Sequence, residues 1–161
     1  MLDLVKEHLK KGGYSQEEVK KALNSGDLSL VLKDIPYFFE VLEQNKTFHL
    51  FERAAHVFAE AARVYKFRQV CDDGFMDEAE KVAQLGKMMN ESHFSCKVLY
   101  ECSSDQLDEL TGLARASGAL GSRLTGAGWG GCCVSLVKKE DLQTFLDKMM
   151  TYYTKEREPG Y

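Results

Sequence analysis

Proline is nearly missing, with two residues in 161, and no run of about 18 apolar residues occurs in the chain. The first scarcity excludes a collagen-like or proline-rich extended chain. The second excludes a helical membrane span read from hydropathy. A surplus of positive charge is absent too, since 21 Lys and Arg against 25 Asp and Glu leave a net charge of −4. Bulk electrostatics therefore give no reason to seek nucleic acid or acidic membranes. The five cysteines, Cys71, Cys96, Cys102, Cys132 and Cys133, are odd in number and too sparse for a disulfide scaffold, so reduced packing thiols are expected. His93-x-x-Cys96 with Cys102 nearby lacks the C-x-x-C partner of a zinc site, and no metal ligands are assigned. The opening Met1-Leu2-Asp3-Leu4 is amphipathic rather than a signal core, which predicts a soluble, cytoplasmic chain.

What is present is a folded composition, 44% hydrophobic and 29% charged. Leu2, Val5 and Leu9 recur at helical spacing before Gly12-Gly13. Ser15-Gln16-Glu17-Glu18 is a capping box for a helix to about Leu23. Asp27 can cap a short helix through Leu32, stopped by Pro36. From about Phe38 or Thr47 to Val70, a stripe of Phe51, Ala54, Ala55, Phe58, Ala61, Ala62 and Tyr65 predicts a core helix. A second long helix follows over about 75–94, with Leu85, Met88 and Met89 inward. Ser103-Ser104-Asp105 caps a third, with Leu107, Leu110 and Ala114 inward.

The texture then changes. Residues 119–137 alternate short apolar runs with glycine and predict two short strands joined by a loop, before a last helix from about Glu140 to Tyr153 with Leu142, Phe145, Leu146 and Met149 on one face. The chain thus divides into short helices over 1–46, long helices over 47–117, and a strand, glycine loop, strand and helix over 118–161. Two strands make a poor sheet, because both outer edges offer unpaired amides and carbonyls. Helices must cover the pair, another chain must complete it, or further strands lie outside this sequence.

The tract Leu124-Thr-Gly-Ala-Gly-Trp-Gly-Gly-Cys132 places four glycines in six residues. Successive amides in such a turn can form an anion-binding nest, or the glycines can simply let a wide loop join two strands. Gly126-x-Gly128-x-x-Gly131 has the spacing of a dinucleotide fingerprint, but a strand-like segment follows where that fingerprint requires a helix. A Walker loop fails as well, since no Lys-Ser/Thr follows the glycines.

Gly121-Ser-Arg-Leu-Thr-Gly-Ala-Gly-Trp-Gly-Gly-Cys132 resembles the third signature motif of the GHMP kinase superfamily, in the form galactokinases use. Met89-Asn90-x-Ser92-His93-x-Ser95-Cys96-x-x-x-Tyr100-Glu101-Cys102-Ser103, followed by Leu107-Asp108-x-Leu110, resembles the helix and turn preceding that motif. Arg53-Ala-x-His56-Val57-x-x-Glu60-Ala-Ala-Arg-Val64 is similar to a long helix of the N-acetylgalactosamine kinase branch, and Ala127 and Trp129 resemble the loop of that branch and of fungal galactokinases. Departures are Ser104-Asp105-Gln106, Lys97 and Cys133, positions of surface or packing.

The resemblance implies an α+β fold: a partial C-terminal GHMP kinase domain over 1–161, helix-rich, with an incomplete antiparallel sheet. It implies ATP-dependent phosphorylation of N-acetylgalactosamine and/or galactose at the anomeric hydroxyl, with Mg2+, the N-acetylgalactosamine kinase branch being the nearest resemblance. The sugar-binding signature, the Ser-rich phosphate loop, the catalytic Asp and its neighbouring Arg belong, by that resemblance, to an N-terminal lobe whose motifs this sequence does not contain. No catalytic residue is therefore assigned here, and the chain alone is expected to be inactive. Its partner is that N-terminal lobe, in a protein expected to be monomeric, with no nucleic acid or membrane partner. Gly126, Ala127, Gly128, Gly130 and Gly131 are assigned to shaping the nucleotide and sugar site. Trp129 is read as a packing anchor, His93 as a helix-end residue without a companion acid, and Arg123 as either an interlobe ion pair or a phosphate contact. The alternative is a galactokinase-like sugar sensor that binds ATP and galactose without turnover.

Overall fold

The computed structural model describes residues 1–24, 26–28, 32–35 and 37–155. The expected helix over 27–32 with its stop at Pro36 rests in part on residues outside that set, as does the terminal Glu158-Pro-Gly-Tyr161. The chain forms two compact units, Met1–Phe58 and Ala59–Tyr161.

In the first unit, α1 (Leu2–His8) and α2 (Gln16–Ala22) flank a two-residue strand β1 (Tyr14–Ser15). The capping box forms as the residue types dictate. Ser15 Oγ accepts the Glu18 amide at 3.2 Å, and Glu18 accepts the Ser15 amide at 2.8 Å. Of the two starts expected for the long helix, Phe38 and Thr47, the structure favours the second: Phe38–Gln44 is a separate helix α3, Thr47–Phe48 is strand β2, and the long helix is α4 (Leu50–Asp72). The cause is tertiary: Thr47 and Phe48 pair antiparallel with Ser15 and Tyr14, and a Cβ on Gly13 would strike the Thr47 side chain. Glu52 ties α4 to the same turn by accepting the Gly12 amide at 2.9 Å.

The second unit begins inside α4. Its described elements continue with α5 (Glu78–Ser95), a π-helical turn (Cys96–Tyr100), α6 (Asp105–Ala116), β3 (Gly121–Thr125), β4 (Cys132–Leu136), a 3-10 turn (Lys139–Asp141) and α7 (Leu142–Lys155). Asp77 caps α5 and Ser104 caps α6, each accepting first-turn amides. The core gathers Cys96, Cys102, Leu107 and Leu124, with Met88 and Ala114 also buried.

The expected core stripe holds only in the first turns of α4, where Phe51, Ala54, Ala55 and Phe58 are half-buried. Ala61, Ala62 and Tyr65, three of its seven residues, are exposed, as is the neighbouring Val64. The inward ridge of the later turns is instead Glu60, Arg63, Phe67 and Val70. The apolar face of α7 is also only partly covered, with Leu142 and Leu146 exposed.

The two-strand hairpin forms as expected, Gly121 opposite Leu136 and Thr125 opposite Cys132. Its edge problem is solved on one side by a helix. Asn90 Oδ1 accepts the Ser122 amide at 3.0 Å, Asn90 Nδ2 donates to the Leu120 carbonyl at 3.2 Å, and His93 Nδ1 accepts the Leu124 amide at 3.3 Å. Alternate residues of one strand edge are thus satisfied by side chains three apart on α5. This requires close approach. A Cβ on Gly86 would stand 2.6 Å from the Leu120 carbonyl oxygen, and one on Gly121 would strike the Gly86 backbone. Across the ribbon, the buried Ser122 hydroxyl meets that of Ser135 at 2.9 Å. Among the described residues no further strand pairs with β4.

Candidate functional site

The loop between β3 and β4 is held at both ends and in the middle. Leu124, 1% exposed, carries β3 into it from the core cluster. In its middle, the Trp129 amide donates to the Cys102 carbonyl at 2.6 Å. That carbonyl is presented by the π-helical turn, which closes with the Cys102 amide on the Cys96 carbonyl at 3.0 Å and a left-handed Glu101, φ 59°. Gly128 lies against the same carbonyl with φ +90°, and a Cβ there would strike it. No other residue type fits both constraints.

The assigned residues Gly126, Ala127, Gly128, Gly130 and Gly131 therefore share one turn, pinned at Gly128 and Trp129, with Gly126, Ala127 and Gly131 exposed. Trp129 itself corrects the packing expectation. Its backbone is left-handed at φ 56° and the residue is 65% exposed, and the anchoring contact is made by its amide. The loop offers backbone donors and an aromatic surface but contains no cation.

Arg123 lies on the strand entering the loop. Its Nη1 lies 4.0 Å from Glu60 Oε2, a carboxylate that also pairs with Arg63 and accepts Ser92 Oγ at 2.8 Å. These groups border a cavity of about 530 Å³ with Phe67, Met88 and Val134.

His93 does have a companion acid, contrary to the sequence reading. Nε2 is 3.2 Å from Asp108 Oδ1 and 2.9 Å from Thr111 Oγ1. Thr111 Oγ1 donates to the Asp108 carbonyl at 3.1 Å, leaving a lone pair toward the ring. Burial would raise the Asp108 carboxyl, but the Lys97 ammonium at 2.7 Å and the Ser103 hydroxyl at 2.6 Å outweigh it and hold it below the ordinary range. The Asn90 and His93 spacing placed both on one helix face; nothing local indicated Asp108, fifteen positions on.

Cys96 and Cys102 are buried packing thiols, whereas Cys71 and Cys132 are exposed. Burial, reinforced by Cys102, pushes the Cys96 thiol up to about 11. Among the described residues no three or more His, Cys, Asp or Glu converge to hold a metal ion, and no helix is long and apolar enough to cross a membrane.

The fold and the pinned loop agree with a family comparison. The family model for the C-terminal part of GHMP kinases matches residues 75–155, and the chain belongs to that family. Its sequence relatives narrow the class. A galactokinase of Dictyostelium discoideum is 42% identical over 167 residues, covering 95% of this chain and 33% of that protein. A galactokinase of Saccharomyces cerevisiae is 41% identical over 143 residues, covering 85% and 26%. The crystal structure of Lactococcus lactis galactokinase complexed with galactose superposes with a TM-score of 0.56 at 31% identity, covering 66% of this chain and 26% of that one. The chain spans a third or less of the length of these relatives.

Proposed function

We propose that this chain is part of the C-terminal lobe of an ATP-dependent sugar 1-kinase acting on galactose, with N-acetylgalactosamine a second candidate substrate. The observation that carries the reading is the loop geometry: a turn of four glycines pinned by the Trp129 amide on Cys102, in a chain whose relatives are galactokinases. ATP, with Mg2+, supplies the γ-phosphoryl group that the sugar hydroxyl receives.

Phosphoryl transfer depends on positioning and charge stabilisation, and the two tasks divide between lobes. The turn over Gly126, Ala127, Gly128, Gly130 and Gly131 provides a rigid wall with backbone donors near the phosphates. Charge neutralisation and proton removal fall to the N-terminal lobe, since the loop carries no cation. Rigidity matters because misplacing a reacting group by about 1 Å can cost on the order of a hundredfold in rate.

Calorimetry on the 161-residue chain tests this division. ATP is expected to bind no tighter than about millimolar without the N-terminal lobe and to bind well in the full-length protein. Micromolar binding by the chain alone contradicts it.

A further inference from the structure

Each ring nitrogen of His93 is engaged by a different element. Nδ1 accepts the Leu124 amide at 3.3 Å, and that amide can only donate. Nδ1 is therefore bare, and the single proton of the neutral ring sits on Nε2, toward Asp108 and Thr111. The side chain is 7% exposed, at the C-terminal end of α5.

We propose that His93 is a positioning residue for the glycine-rich loop and its pH-responsive latch: the neutral ring holds Leu124 at the loop entrance, and a proton on Nδ1 releases it. A protonated Nδ1 sets one N–H against another, so the bond is lost and a donor is left buried. Leu124 shares its core cluster with Cys102, whose carbonyl holds Trp129, so the entrance and the middle of the loop hang on one packed group.

The charged groups facing His93 are Asp108 and Arg115 from α6 and Lys97 from the π-helical turn; β3 presents the uncharged Leu124 amide. Burial is the largest influence and disfavours the imidazolium. Asp108 pulls the other way, while Arg115 and Lys97 add to the burial effect. Asp108 already pairs with Lys97 and accepts Ser103, which weakens its pull. The balance keeps the ring neutral below the ordinary histidine value of 6.5. The latch is thus closed at neutral pH and opens on acidification.

The chain has one tryptophan, Trp129, so its emission reads the loop directly. At about pH 7, nitrogen-15 shifts should show Nδ1 bare and Nε2 protonated. Below the ordinary histidine value, Trp129 emission should change and Leu124 amide exchange, relative to an unstructured reference, should accelerate about tenfold with the His93 midpoint. His93→Asn keeps an acceptor where Nδ1 stood, so it should preserve Leu124 protection while abolishing the pH midpoint. His93→Leu should lose that protection at every pH. A proton found on Nδ1, a midpoint surviving in His93→Asn, or wild-type exchange in His93→Leu each overturns the proposal. Should His93→Leu not fold, the tautomer and His93→Asn decide. None of these readouts involves phosphoryl transfer, so their failure leaves the kinase reading standing, and its failure leaves the latch standing.

Discussion

The Trp129 amide donates to the Cys102 carbonyl at 2.6 Å, and Gly128 lies against that carbonyl with no room for a side chain. This contact makes the glycine-rich turn a fixed surface rather than a slack connection. It also separates the glycines by what each one does.

Gly128→Val should destabilise the chain by about 3 kcal/mol, combining left-handed strain with a clash against backbone. Gly126→Val carries strain alone, since a Cβ there meets nothing within 4 Å, and should cost about 1 kcal/mol. Urea unfolding of both variants checks the ranking, and equal costs would contradict it.

Gly86→Ala should be among the most damaging single-methyl additions. The new Cβ would stand 2.6 Å from the Leu120 carbonyl oxygen and force α5 away from β3. We expect a loss of about 2–3 kcal/mol and faster exchange of the Ser122 and Leu124 amides. A thermal midpoint matching wild type would show that helix and strand can separate freely.

Thiol titration should divide the cysteines. Cys71 and Cys132 are exposed and should react with an aromatic disulfide reagent in the folded chain. Cys96 and Cys102 should react only on unfolding, because both are buried and the Cys96 thiol is pushed up to about 11. More than three fast-reacting thiols per folded chain would contradict the burial.

Asp108 makes a prediction about acid. Its folded carboxyl lies below the ordinary value of 3.8, so the unfolded chain binds the proton more readily. Its stabilisation is therefore present above that value and is lost as pH falls through the folded one. The stability gap between wild type and Asp108→Asn should shrink as pH falls below the ordinary value of 3.8. A constant gap would mean that the carboxylate charge contributes nothing.

Legibility in the sequence followed range. The capping box at Ser15 and Glu18, the Ser104 helix start and the hairpin strands are local, and each is set by residues within a few positions. The glycine turn was visible because its composition is extreme. The strand at Thr47 and Phe48 was not, since it depends on Tyr14 finding Phe48 across the first unit. The exposure of Ala61, Ala62 and Tyr65 was not legible, because periodicity marks an apolar face without saying what covers it. The anchoring role of the Cys102 carbonyl was invisible for another reason: a backbone acceptor leaves no trace in residue type.

The measurement closest to the central claim is galactose phosphorylation from ATP, followed for the 161-residue chain alone and for the full-length protein with and without Gly128→Val. The account predicts no turnover by the chain alone, turnover by the full-length protein, and at least about a tenfold fall in kcat for a folded Gly128→Val variant. Turnover by the chain alone, or an unchanged kcat in that variant, would contradict it.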